Sequence, residues 1–166
     1  MDGRVYLETS IISYLAARPS RDLIVAGHQQ LTIEWWTTQR SRFELFASLL
    51  VMREAAAGDA EAAAARGRYL EGIETLDILP EATRLANVLV ARGSLPSKSA
   101  VDALHIAIAA THQMNYLLTW NCKHIANAEM RPLIESVCRS EGFAAPTLCT
   151  PEELMGRDSD VERSDR

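Results

Sequence analysis

An α/β fold is what this sequence predicts: three layers, with helices covering both faces of a central parallel sheet of about four or five short strands. Three observations predict it. Short, bulky apolar runs alternate with helical patterns along the chain. The stretch from Ser97 to Trp120 reads as a helix running straight into a strand. Apolar residues recur there at helical spacing through Val101, Leu104, Ile106, Ala107, Ile108 and Ala110, and Tyr116 to Trp120 suits a buried parallel strand. Finally, 166 residues that are 48% hydrophobic suit one domain with a sizeable core. One domain is expected over residues 1–156, with a disordered polar tail over 157–166.

The elements follow in order. Val5 to Glu8 reads as a first strand, after which Thr9 and Ser10 offer caps for a helix from Ile11 to Ala17, ended by Arg18-Pro19. Asp22 to Gln39 has a helical pattern with Ile24, Leu31 and Trp35 on one side. Phe43 to Ala47 alternates as a second strand, and Ser48 caps a helix from Leu49 to Ala57 that Gly58-Asp59 stops. Asp59 to Gly72 is an alanine-rich surface helix. Leu76 to Leu79 is a third short strand closed by Pro80, and a helix from Glu81 to Ala91 ends at Gly93. After the Ser97–Trp120 unit come a loop or short helix from Asn121, a helix from Met130 to Ser140, and an edge strand from Thr147 to Pro151. There is no internal repeat.

Composition narrows the function. A net charge of −5 argues against coating nucleic acid by bulk attraction, although the bases are almost all arginine, which is shaped to grip phosphate. Arg18, Arg40, Arg42, Arg53 and Lys98 are candidates for a local basic rim. Three cysteines without a CxxC spacing argue against a disulfide framework or a zinc site, and read as core residues. No apolar run is long enough to cross a membrane, and the N-terminal residues lack the apolar core of a signal peptide, so a cytoplasmic protein is expected. Neither a GxGxxG nor a Walker loop is present, which disfavours dehydrogenases and NTPases.

The chemistry rests on acids. Asp102 shares a helical stripe with Ile106 and Ala109, and a buried carboxylate without a partner costs several kcal/mol. Ser99-Ala100-Val101-Asp102 also matches a capping box, so a purely local role stays open. Glu8 stands where the first strand gives way to its helix, at the carboxyl edge where open α/β sheets bind ligands. Glu54 shares the apolar side of its helix with Leu50 and Val51. Three carboxylates gathered at one sheet edge repel each other unless a divalent cation binds, and all-oxygen ligation suits Mg²⁺ or Mn²⁺. His105, three residues after Asp102, could hydrogen-bond it. Lys123 and His124 could touch phosphate.

Four segments, VYLETSIISYL, FELFASLLVMREAAAGD, AVDALHIAIA and LLTWNCKHIAN, together resemble a PIN domain, most closely the VapC-type toxins of bacterial toxin–antitoxin pairs. The resemblance runs from Val5 to about Leu154. It implies a PIN-like three-layer α/β/α fold and an Mg²⁺- or Mn²⁺-dependent endoribonuclease. The family's acids fall on Glu8 (where Asp is usual), Glu54 and Asp102 as metal ligands. The fourth falls on Asn121, an amide in place of a carboxylate, which would orient water or the metal. Thr9 and Thr119 would position acids or waters. The resemblance further implies an RNA substrate, a cognate antitoxin whose tail covers the acidic cleft, and a homodimer. Trp35 and Trp36 read as core or as a partner surface, and their helix, with Leu31, is a candidate partner surface. Two other readings are weighed. A phosphotransfer or phosphatase sheet is disfavoured because the first strand ends in LETS without an Asp-x-Asp arrangement. A catalytically impaired module that binds RNA or a protein without cleavage is the alternative that Glu8 and Asn121 raise.

Overall fold

The structure, a computed structural model, describes residues 1–93 and 95–156. The expected tail over 157–166 lies outside the described residues. The elements are β1 (Arg4–Leu7), α1 (Thr9–Ala16), α2 (Leu23–Thr38), β2 (Glu44–Ser48), α3 (Leu49–Ala55), α4 (Ala60–Leu70), β3 (Glu74–Leu76), α5 (Pro80–Ala91), α6 (Ala100–Thr111), β4 (Tyr116–Leu118), α7 (Arg131–Ser140) and β5 (Thr147–Cys149). Short 3₁₀ turns over Arg40–Arg42 and Ser97–Ser99 lead into β2 and α6.

The five strands form one sheet in the order β3-β2-β1-β4-β5, and every pairing is parallel. The chain builds outward from β1 to β3, then crosses to the other side of β1 for β4 and β5. That division sorts the helices. Those from α1 to α4 contact one another, and α5 contacts α6 and α7, giving a layer on each face of the sheet.

The expected elements are present, with shifted ends. β1 stops at Leu7, β3 lies two residues earlier than expected, and β4 stops at Leu118. Past β3 the Asp77 carbonyl accepts His112 Nε2 (2.8 Å), and past β4 the Thr119 amide still donates to the Cys149 carbonyl (3.0 Å) while its side chain turns to Glu8. Side-chain caps fix the helix starts. Asp22 accepts the amides of Ile24 and Val25, Asp59 that of Ala62, and Ser48 that of Val51. At the opposite edge Gly3, with φ +131°, lies so close to Asn115 that a Cβ would meet Asn115 Oδ1 at 2.9 Å. The Arg4 amide donates to that same oxygen (2.8 Å), tying the start of β1 to the start of β4.

The core is centred on β1, β4 and α6. Val5, Tyr6, Leu7, Leu117 and Leu118 are fully buried, as are Ile106, Ala107, Ile108 and Ala109. Helix α2 corrects one expectation. Trp35 is wholly buried and donates its indole N–H to the Leu154 carbonyl (3.1 Å), so it belongs to the core and not to a partner surface. Leu23 and Ile24, in the first turn of α2, are by contrast exposed, so Ile24 does not share the buried side of Trp35. The cysteines divide likewise: Cys138 and Cys149 are core residues, while Cys122 is exposed. Burial pushes the Cys149 thiol up to about 12 and Cys138 up to about 11, so neither is a thiolate nucleophile. No described helix is long and apolar enough to cross a membrane.

Candidate active site

Strand order reverses between β1 and β4, and ligands of open α/β sheets bind at such a switch point, beyond the carboxyl ends of the strands. Glu8 follows β1 here and Thr119 follows β4. The Glu8 amide donates to the Leu118 carbonyl (3.0 Å), which carries the pairing one residue past the strand.

Glu8 is 7% exposed and is itself the N-cap of α1. Its Oε2 accepts the Ser10 amide (3.0 Å), the Ser10 hydroxyl, and the Thr119 hydroxyl (2.8 Å). This corrects the expected caps. Thr9 and Ser10 are already inside the helix, and their hydroxyls donate to carboxylates instead of capping.

Glu54 sits at the end of α3. Its Oε1 accepts the Thr9 hydroxyl (2.8 Å) and His105 Nε2 (2.6 Å). Burial works against ionisation of this carboxyl. The hydrogen bond from His105, the charge of that ring when protonated, and the bond from Thr9 outweigh it and hold the carboxyl below the ordinary glutamate range. The expected His105–Asp102 bond is therefore not made. His105 points into the core at 1% exposure, whereas Asp102, one turn earlier, lies at the partly open mouth of α6.

Asp102 also forgoes the capping box. Ser99 makes no capping bond to the helix, because a 3₁₀ turn precedes α6. Asp102 Oδ2 lies 2.9 Å from His124 Nδ1, and Ser99 Oγ lies 3.0 Å from the same nitrogen. A carboxylate only accepts, so Nδ1 carries the hydrogen. Asn121 holds the turn that delivers His124. Its Oδ1 accepts the His124 amide (3.0 Å), its own amide donates to Thr119 Oγ1 (2.9 Å), and its carbonyl accepts the amides of Ile125 and Ala126. Lys123 is exposed on this turn, and its carbonyl accepts the Asn127 side-chain Nδ2 (3.1 Å).

One pattern unites the three acids. Every hydrogen bond to Glu8 falls on Oε2, every one to Glu54 on Oε1, and the one to Asp102 on Oδ2. Among the described residues the second oxygen of each has no protein donor, and none of these oxygens is a buried atom without a partner. A carboxylate pinned through one oxygen and open at the other is how an oriented metal ligand is built. The donor set, all oxygen and negatively charged, fits Mg²⁺ or Mn²⁺. Among the described residues, however, no three His, Cys, Asp or Glu side chains stand close enough together to hold an ion as they are.

The candidate basic rim separates. Arg42 pairs with Asp2 (2.7 Å) and Arg40 lies over Trp36, both before β2 at the opposite edge of the sheet. Arg18 pairs with Glu61 across α1 and α4. Arg53, on the helix that carries Glu54, and Lys98, in the 3₁₀ turn before the helix that carries Asp102, are exposed, with no ion-pair partner among the described residues. Sequence reasoning missed Tyr6 and Ser48, which lie behind His105. The available signal was a tyrosine facing the core from β1, since a buried hydroxyl requires a partner.

Against known proteins, the family described as "PIN domain" matches residues 5–125. The chain belongs to the PIN-domain family. No curated protein matches it. Among solved structures, VapBC2 from Rickettsia felis, bound to a DNA fragment from its promoter, is 18% identical with a TM-score of 0.53, covering 72% of this chain and 89% of that one. VapC20 of Mycobacterium tuberculosis, a toxin that cleaves the sarcin–ricin loop, is 16% identical with a TM-score of 0.52, covering 68% and 86%. At such identity these likenesses speak for the fold. The PIN match spans β1 to the turn carrying His124, and so contains Glu8, Glu54 and Asp102 with the groups that hydrogen-bond them.

Proposed function

We propose that this PIN domain is a divalent-metal-dependent endoribonuclease of VapC type, the toxin of a toxin–antitoxin pair. The observation that carries the reading is the shared design of Glu8, Glu54 and Asp102, three acids each fixed through one oxygen and open at the other. They are the ligands for Mg²⁺ or Mn²⁺. When bound, such an ion acidifies water and neutralises charge developing on phosphate.

The chain's own groups prepare the site. Ser10 and Thr119 hold Glu8, Thr9 and His105 hold Glu54, and His124 and Ser99 flank Asp102. Asn121 contributes no charge, which favours a single firmly held ion, and it keeps the turn on which His124 and Lys123 stand beside the phosphate. Arg53 and Lys98 supply the cationic rim. The substrate is RNA, the class of target named for VapC20. The VapBC2 neighbour supports a cognate antitoxin, and the family resemblance a homodimer.

Calorimetric titration with Mn²⁺ tests the site. Binding near one ion per chain is expected, weakened in Glu8→Gln, Glu54→Gln and Asp102→Asn proteins. A folded wild-type protein that takes up no Mn²⁺ or Mg²⁺ would instead support the binding module without cleavage.

A further inference from the structure

Behind Glu54 runs a chain of hydrogen bonds that passes through Tyr6 of β1 and returns to the backbone at the start of Glu54's own helix, α3. The Val51 amide donates to Ser48 Oγ (3.2 Å), Ser48 Oγ meets Tyr6 OH (2.8 Å), Tyr6 OH meets His105 Nδ1 (2.7 Å), and His105 Nε2 meets Glu54 Oε1 (2.6 Å). Ser48 and Tyr6 are wholly buried and His105 nearly so. Water therefore does not compete for these groups, and each hydrogen requires an acceptor within the protein.

The ends of the chain set its direction. A backbone N–H only donates and a carboxylate only accepts. Nε2 therefore carries a hydrogen for Glu54. Nδ1 of the neutral ring then accepts from Tyr6, whose hydroxyl oxygen accepts from Ser48, whose oxygen accepts from Val51. Every hydrogen is used. A hydrogen on Nδ1 as well would turn Tyr6 towards Ser48 and leave the Ser48 hydrogen buried without an acceptor, at a cost of about 1–3 kcal/mol.

Resting on the proposed role of Glu54, we infer that Tyr6 and His105 are positioning residues, which fix the Glu54 carboxylate for its cation by holding the His105 ring in the Nε2–H form. The relay joins the middle strand, the start of α3 and the middle of α6 to a single oxygen of Glu54, and Thr9 on α1 donates to that same oxygen. It thereby defines which oxygen of Glu54 remains open. The other acid–histidine pair is built differently. His124 is partly exposed, and its Nε2 has no partner among the described residues, so nothing behind it fixes the ring.

Two readouts on the full chain test this. Nitrogen-15 NMR of the histidine side chains at pH 8 should show the Nε2–H tautomer for His105 in the wild type and a mixture of tautomers in Tyr6→Phe, which deletes only the hydroxyl. Mn²⁺ calorimetry should show affinity reduced about tenfold in Tyr6→Phe and more in His105→Leu, the scale of losses on removing partners behind a metal ligand. His105→Gln, which keeps one donor and one acceptor, should bind Mn²⁺ more tightly than His105→Leu. Circular dichroism checks that each variant folds. An Nδ1–H tautomer in the wild type, or folded Tyr6→Phe and His105→Leu proteins that bind Mn²⁺ like the wild type, overturns the positioning role alone. Absence of Mn²⁺ binding by the wild type overturns the metal reading and the positioning role together.

Discussion

His124 Nδ1 stands 2.9 Å from Asp102 Oδ2, joining the turn after β4 to the mouth of α6. This bond takes the place of the capping box that the sequence around Ser99 suggests, and it orients the acid away from its own helix. Replacing Asp102 by Asn keeps the size of the side chain and removes its charge. The account predicts RNA cleavage reduced by about 100-fold or more, with little change in the thermal midpoint. A melting curve measured beside the cleavage rate separates the site from the scaffold.

Thr119 serves two partners at once. Its hydroxyl donates to Glu8 Oε2 and accepts the Asn121 amide. Thr119→Val preserves the shape and deletes both bonds, at a cost of about 1–3 kcal/mol because the site is buried. Mn²⁺ affinity should fall about tenfold as Glu8 loses one of its donors. Chemical denaturation and calorimetry on the same preparation check the two effects.

Glu54 makes a prediction about pH. Its carboxyl is held below the ordinary glutamate value of 4.5, so it favours the folded state while ionised. That stabilisation is complete above the unfolded-state value and is lost as pH falls through the lower, folded-state value. Glu54→Gln should therefore lose less stability than the wild type on acidification from about pH 5 to pH 3. Urea midpoints across that range measure it, and parallel curves would show that Glu54 contributes nothing to the acid limb.

Trp35→Ala should destabilise the fold by about 3–5 kcal/mol, the usual cost of emptying a fully buried aromatic site. A surface role would instead leave the melt unchanged and alter elution on size-exclusion chromatography.

Much of the fold was legible because its signals are local. The alternation of strand and helix, the Ser48 cap, and the apolar stripe of α6 are written in neighbouring residues. Asp102 and Glu54 stood out as acids on apolar stripes, and Glu8 as an acid at the end of a strand. Their partners did not. Thr9 reaches Glu54 across 45 positions, Thr119 reaches Glu8 across 111, and Tyr6 reaches His105 across 99. Those contacts exist because parallel pairing brings β1, β2 and β4 side by side, and no spacing along the chain encodes them. The misplaced His105 bond shows the same limit. The interval of three residues put His105 beside Asp102 correctly on the helix, but the ring turns inward to a tyrosine from another strand.

Cleavage of a mixed RNA pool by the purified protein with Mn²⁺, with EDTA and Asp102→Asn as controls, tests the central claim most directly. The account predicts discrete cuts that disappear in both controls. Intact RNA after incubation with folded, Mn²⁺-loaded wild-type protein, or cuts that persist in EDTA or in Asp102→Asn, would contradict it.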